Sequence, residues 1–192
     1  VTGVQTCALP ILQGAFDLCE LFQKEGVPSI IAGGAARDIY FGVTPKDVDV
    51  IICCDDKLYA SSLLEKAGIA HSVIHFYNES SSDRIIGVFK IEGTNIDVCL
   101  YDCTDVSEAV DAFDFNLNQF VISGIHHGID GAHVRFVGQT HWSTLAAVRK
   151  DYSLKRLEKM QAKFVDLRNR RATGEIGRAS CMKSVDLGGR RI

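Results

Sequence analysis

The sequence predicts an α/β (α+β) domain: a small mixed β-sheet flanked by helices, running into the start of a helical neck. Three observations carry this. Residues 30–54, IIAGGAARDIYFGVTPKDVDVIICC, read as strand, glycine pair, short helix, tight turn and second strand. Two apolar runs at residues 85–91 and 95–101 flank Glu92-Gly93-Thr94 and read as a hairpin. Residues 12–25 carry Leu12, Phe16, Leu18, Leu21 and Phe22 at helical spacing, ended by Gly26 and followed by Pro28.

Each element follows from local chemistry. Residues 29–32 are a short apolar strand that Gly33-Gly34 ends. Residues 35–41 are helix-prone, Gly42 stops the helix and Pro45 stiffens the turn. Asp47 opens the next strand, where alternation sends Val48 and Val50 inward and leaves Asp47 and Asp49 together on the other face. Asp55-Asp56 cap a helix reaching about Ala67, with Gly68 at its end. Residues 70–77 alternate as a strand and 78–83, NESSSD, form a polar loop. In the hairpin, Ile96, Val98 and Leu100 share one face, leaving Asp97 on the other with Asn95 and Cys99. A helix is expected over 107–113, strands over 120–122 and 134–137, and a long basic helix within 145–171. Leu154, Leu157, Met160 and Phe164 form its apolar stripe.

Composition sets the bounds. With 192 residues, 46% apolar and 23% charged, the chain is long enough for one folded core and too apolar for wholesale disorder. A net charge of −3 does not decide between partners. No apolar run reaches membrane-spanning length and no signal peptide is evident, so a cytoplasmic protein with no membrane partner is expected. Seven cysteines without paired spacing read as reduced thiols, with Cys53-Cys54 as core packing. His126, His127, His133 and His141 fit no zinc spacing and read as solvated loop histidines.

Asp47 and Asp49 are the sharpest functional signal. Two like charges sharing a strand face repel, a conflict that a hard divalent cation such as Mg²⁺ removes. The bland alternative is a glycine turn before a solvated acidic strand start.

The pattern GG-x-x-RD-x-x-x-G-x-x-x-x-D-x-D, formed by Gly33, Gly34, Arg37, Asp38, Gly42, Asp47 and Asp49, resembles the nucleotidyltransferase head of the polymerase-beta superfamily. The closest resemblance is to its class II group, the poly(A) polymerases and CCA-adding (tRNA nucleotidyltransferase) enzymes. The resemblance implies catalytic and metal-binding roles for Asp47, Asp49 and Asp97, the last matching the family's third carboxylate, with two Mg²⁺ ions. It implies a nucleotide-binding role for Gly33, Gly34 and Arg37. Glycines there let the backbone approach a triphosphate, which N–H groups at the following helix start can bind. Asp38 is expected to orient Arg37 or brace the turn. Asp114-Phe115-Asn116-Leu117-Asn118 is similar to the family's D-F-T-I-N element, making Asp114 and Asn118 nucleotide-binding candidates on one helix face, with a helix cap as the competing reading. The arginine pair that precedes that element in the family is Ala112-Phe113 here, and Asp151-Tyr152-Ser153-Leu154-Lys155 only echoes the family's base-selecting E-D-x-x-R.

The activity implied is transfer of a nucleoside monophosphate from a nucleoside triphosphate (ATP, or CTP) to an RNA 3′-hydroxyl, with tRNA among the acceptors. Two other readings stay open: a catalytically weakened nucleotide- or RNA-binding module, and a small-molecule nucleotidyltransferase of the same superfamily. Residues 1–11 and 175–192 resemble the translation of a sequencing adapter and are expected to lie outside the fold. This leaves a head at 12–142 and a truncated neck at 143–174, with Trp142 anchoring their junction.

Overall fold

The computed structural model describes residues 3–76, 84–124, 132–172 and 184–186. The expected 78–83 loop, His126 and His127 lie outside them. Helix α1 (Gly3–Lys24) leads into β1 (Ser29–Ala32), α2 (Gly34–Tyr40), β2 (Val48–Cys53) and α3 (Lys57–Lys66). Strands β3 (His71–Phe76), β4 (Ile85–Ile91) and β5 (Ile96–Tyr101) follow. Helix α4 (Val106–Asp111), a 3-10 turn (Asn116–Asn118), β6 (Phe120–Ser123), β7 (His133–Phe136), α5 (Leu154–Ala172) and β8 (Ser184–Asp186) complete the order. No described helix is long and apolar enough to cross a membrane.

One sheet in the order β3-β4-β5-β2-β1-β6-β7-β8 organises these elements. It is mixed, as expected: β2 and β5 run parallel and every other neighbouring pair runs antiparallel. The β4–β5 hairpin forms around residues 92–94 as its turn chemistry demands. The parallel β2–β5 contact matters most, because it sets Asp49 directly opposite Asp97.

Two hydrophobic layers hold the sheet. On one side Val48, Val50, Ile52, Ile96, Val98 and Leu100 meet Leu12, Phe16, Cys19 and Phe22 of α1 and Leu63 and Leu64 of α3. Phe22, Ile52, Leu64 and Leu100 are fully buried there; burying such a side chain contributes about 1.5–3 kcal/mol. On the other side Ile51, Cys99 and Tyr101 meet Ala109 and Val110 of α4. The alternation read from the two strands therefore holds: the carboxylates Asp49 and Asp97 share the α4 side. A capping box between Asp105 and Glu108 starts α4, and Asp56 caps α3 by accepting from the Tyr59 N–H.

Several expectations shift. The helix expected over 107–113 ends earlier, at Asp111, and the long basic helix begins only at Leu154. The Asp114–Asn118 element is no α-helix: Phe115 makes an isolated β-bridge with Ala147, and residues 116–118 are the 3-10 turn. Asn116 explains this, since its side chain accepts from the Ala146 N–H and donates to the carbonyls of Thr140, His141 and Thr144, tying the segment to the following chain. Leu154 is 71% exposed, because the α5 stripe engages the core only from Leu157 on, with Met160 and Leu167 buried. The boundary drawn at residue 11 falls inside α1, where Ile11 packs partly buried against the core, and Ser184–Asp186 pair with β7 at the sheet edge. Trp142 packs edge-on to Phe41 at 5.0 Å and lies beneath the Arg171 guanidinium of α5 at 4.8 Å.

Candidate active site: a carboxylate row facing a basic helix

A cleft of about 820 Å³ opens between the α4 side of the sheet, the start of α2, the 112–118 segment and α5. Its floor includes Gly33, Gly34, Asp47 and Asp49, and α5 supplies a wall with Arg156, Lys159 and Lys163. Spacings of three and four residues put those three cations on one helical face.

The carboxylates belong to one row across three strands. Asp49 of β2 faces Asp97 of β5, which faces Lys90 of β4. Lys90 Nζ donates to Asp97 Oδ1 at 3.3 Å. Asp47 stands just before β2, exposed at its start. Burial, then the charges of Asp97 and Asp47, push the Asp49 carboxyl up from 3.8 to about 6, against weaker pulls from Arg156 and Lys90. The mutual repulsion inferred from the D-x-D spacing is thus expressed at Asp49. Among the described residues, no three His, Cys, Asp or Glu side chains are already gathered as a metal-holding group. The donor chemistry nonetheless suits a hard divalent cation: oxygen ligands only, with excess negative charge at a half-buried position.

Gly33 leaves β1 with φ 91°, a backbone only glycine adopts without strain, and its N–H donates to the Phe120 carbonyl at 2.9 Å. A Cβ at Gly33 would stand 3.9 Å from Asp49 Oδ2, so this bare backbone borders the carboxylate row.

Arg37 is almost wholly buried and heads a polar network. Its Nε and Nη2 bind Asp38 Oδ1 at 2.9 and 2.8 Å, and Nη1 donates to Asn118 Oδ1 at 2.7 Å. Asp38 orients Arg37, as expected, and also meets Lys163 Nζ at 3.6 Å. Asn118 Nδ2 donates to Asp114 Oδ1 at 3.3 Å, and Arg156 Nε donates to Asp114 Oδ2 at 2.6 Å. Asp114 feels burial, which would raise its carboxyl, but the Arg156 bond and charge, helped by Asn118 and the Phe115 N–H, hold it below the ordinary value. Arg37, Asp114 and Asn118 are therefore brought together on the cleft wall, with Gly33 and Gly34 beside them. Asp97 is linked to the site through its register with Asp49, while its carboxylate is paired with Lys90.

Sequence reading passed over Arg149, Arg156 and Lys163 as individual residues. Arg149 reaches back to the Ala112 carbonyl at 2.8 Å, so a guanidinium stands beside the position where the arginine pair is absent. The available signal was the cationic spacing of 156, 159 and 163 within the basic helix. Of the loop histidines, His141 bonds Ser143 and His133 lies in β7.

No protein-family model matches the chain, and no curated protein does. Solved structures do. The chain is similar to a Thermotoga maritima CCA-adding enzyme complexed with tRNA, at 18% identity and TM-score 0.47, over 64% of this chain and 28% of that one. A Bacillus stearothermophilus CCA-adding enzyme in complex with CTP matches at 19% identity and TM-score 0.43, over 59% and 28% of the two chains. A structure described as a tRNA-processing enzyme matches at 22% identity and TM-score 0.43, over 59% and 29%. The chain thus spans less than a third of the length of these neighbours.

Proposed function

We propose that this chain is the head of a metal-dependent nucleotidyltransferase that moves a nucleoside monophosphate from ATP or CTP to the 3′-hydroxyl of an RNA, tRNA among the acceptors. The head runs to residue 142 and includes all of α1 (Gly3–Lys24), and the neck spans 143–174. The observation that carries the reading is the Asp49–Asp97 register across β2 and β5, with Gly33 bordering Asp49 and cations facing it from α5. Carboxylates that repel one another in a cleft lined opposite by Arg and Lys suit a substrate that is itself a metal-bound polyanion.

Asp47, Asp49 and Asp97 are the residues that would hold Mg²⁺, whose chemistry is to acidify an acceptor hydroxyl and neutralise charge on the leaving phosphates. The chain's own groups do the positioning. Gly33-Gly34 let a triphosphate approach the backbone. Arg37 and Lys163, held by Asp38, supply positive charge beside it. Asp114 and Asn118, fixed by Arg156 and Arg37, present oxygen and amide groups suited to sugar hydroxyls. Incubation with each labelled nucleoside triphosphate and short RNAs tests the proposal: extension by one or more nucleotides is expected, dependent on Mg²⁺ and lost in Asp97→Asn.

One observation favours the second reading, a nucleotide- or RNA-binding module. Lys90 already pairs with Asp97 and competes for the third ligand. Binding of ATP with Mg²⁺ and no transfer to any RNA would select that module instead.

A further inference from the structure

Away from the cleft, β2 and β5 end in a pair of thiols. Cys53 closes β2, and Cys103 lies just beyond β5. Their Sγ atoms are 2.9 Å apart. One carbonyl sets this approach: Tyr101 O accepts from the Cys54 N–H at 3.1 Å and from the Cys103 N–H at 3.0 Å. The second bond curls the chain back after β5, returning Cys103 to the level of Cys53, whose Cα partner is Tyr101. The two sulfurs are thus brought together by the backbone of the parallel pair. Cys103 is only partly buried and borders a surface pocket with Arg84 and Glu108, so a small oxidant can reach it.

We propose that Cys53 and Cys103 are a modification site: an oxidisable dithiol that forms a reversible disulfide under a peroxide-class oxidant, tying together the far ends of the two strands that carry Asp49 and Asp97. A bond length of about 2.05 Å requires the sulfurs to close by roughly 0.9 Å. The Cys103 thiolate attacks one peroxide oxygen, giving Cys103 sulfenic acid and releasing hydroxide, so the peroxide takes the two electrons. The Cys53 sulfur then attacks the sulfenic sulfur, its proton leaving with the departing hydroxyl as water. Burial raises both thiols, the Cys103 rise being opposed by the Cys53 hydrogen bond and by Arg84. The reaction is accordingly slow at neutral pH and quickens as pH rises. Cys54, whose Sγ donates to the Asp56 carbonyl, takes no part.

The test is hydrogen peroxide treatment of the folded, reduced chain, alkylation of free thiols and peptide mapping by mass spectrometry. A Cys53–Cys103 cross-linked peptide, cleaved by dithiothreitol and forming roughly 50- to 100-fold faster at pH 9 than at pH 7, is expected. Cys103→Ser, at the more exposed position, should abolish the cross-link. Cys53→Ser should leave a Cys103 sulfenic acid that dimedone captures. If Cys53→Ser does not fold, the wild-type map and Cys103→Ser still decide. Cross-links of either residue to Cys54, Cys7 or Cys181 would overturn the assignment. So would full alkylation of both thiols after peroxide treatment that oxidises an unfolded control.

Discussion

Removing one charge from the carboxylate row should make the protein more stable while making it inactive, and Asp49→Asn is the substitution to make. In the metal-free chain the Asp49 carboxyl sits at about 6 against an ordinary 3.8, raised first by burial and then by Asp97 and Asp47. At 1.36 kcal/mol per pH unit, that rise corresponds to about 3 kcal/mol of folding free energy lost when the group is ionised. Because the cleft admits solvent, roughly half of it, about 1–2 kcal/mol, is the realistic figure. The sign follows from the direction of the shift. A carboxyl raised in the folded state contributes its stability below pH 3.8, as the neutral acid, and loses it as pH climbs through about 6. Asp49→Asn therefore gains over wild type at pH 7.5 and gains nothing near pH 3.8.

Urea melts of both proteins at pH 7.5 and pH 4, with and without Mg²⁺, read this directly. The expected gain at pH 7.5 is about 1–2 kcal/mol, or ~2–8 °C in Tm for a domain of this size. Saturating Mg²⁺ should stabilise wild type, by about 2.7 kcal/mol at a hundredfold excess over Kd, and the variant less. A variant that is less stable than wild type at pH 7.5, or a wild type indifferent to Mg²⁺, would refute the reasoning.

Asp47→Asn and Asp97→Asn should each lower nucleotide transfer by several orders of magnitude in single-turnover assays while leaving circular dichroism unchanged. Arg156→Ala strips the partner from Asp114 and should cost about 1–3 kcal/mol at pH 7. Since the Asp114 carboxyl is held below 3.8, that cost is present above 3.8 and fades as pH falls through its folded value, which melts at pH 7 and pH 3 would show. Gly33→Ala forces a side chain into φ 91° and should cost about 1–2 kcal/mol by chemical denaturation, with a higher KM for the triphosphate. Arg37→Lys cannot reproduce the bonds to both Asp38 and Asn118 and should lower kcat/KM at least tenfold.

What the sequence made legible divides along a physical line. Strand alternation is a two-residue rule, so the sides taken by Val48, Asp49, Asp97 and Val98 could be read without coordinates, and they put Asp49 on the cleft side of the sheet. The β1–α2 turn was legible for the same local reason, since a glycine pair after an apolar strand leaves few backbones open. The β2–β5 register that sets Asp49 against Asp97 is a contact between distant segments, and no local pattern encodes it. Asp114 and Asn118 show the limit more sharply. Their i, i+4 spacing suggested a helix, yet the Asn116 side chain ties its segment to residues some 25–30 positions later and converts it to a 3-10 turn. Asn118 still reaches Asp114, but through a different backbone.

The basic helix carries the same lesson into function. Composition marks α5 as cationic, but a basic face reads equally well as solvated surface until its partners are placed. Arg156 pairs with Asp114, Lys163 approaches Asp38, and Asn118 contacts Met160 of the same helix. These contacts fasten α5 to the residues proposed to hold the nucleotide. Because Arg37 and Asn118 bridge Asp38 to Asp114, a change at either α5 cation is passed through shared hydrogen bonds. Arg156→Ala and Lys163→Ala should therefore be non-additive, with a coupling of about 0.5–3 kcal/mol in a double-mutant cycle. Strict additivity would mean that the helix merely rests against the head, and that the cleft wall is assembled from independent pairs.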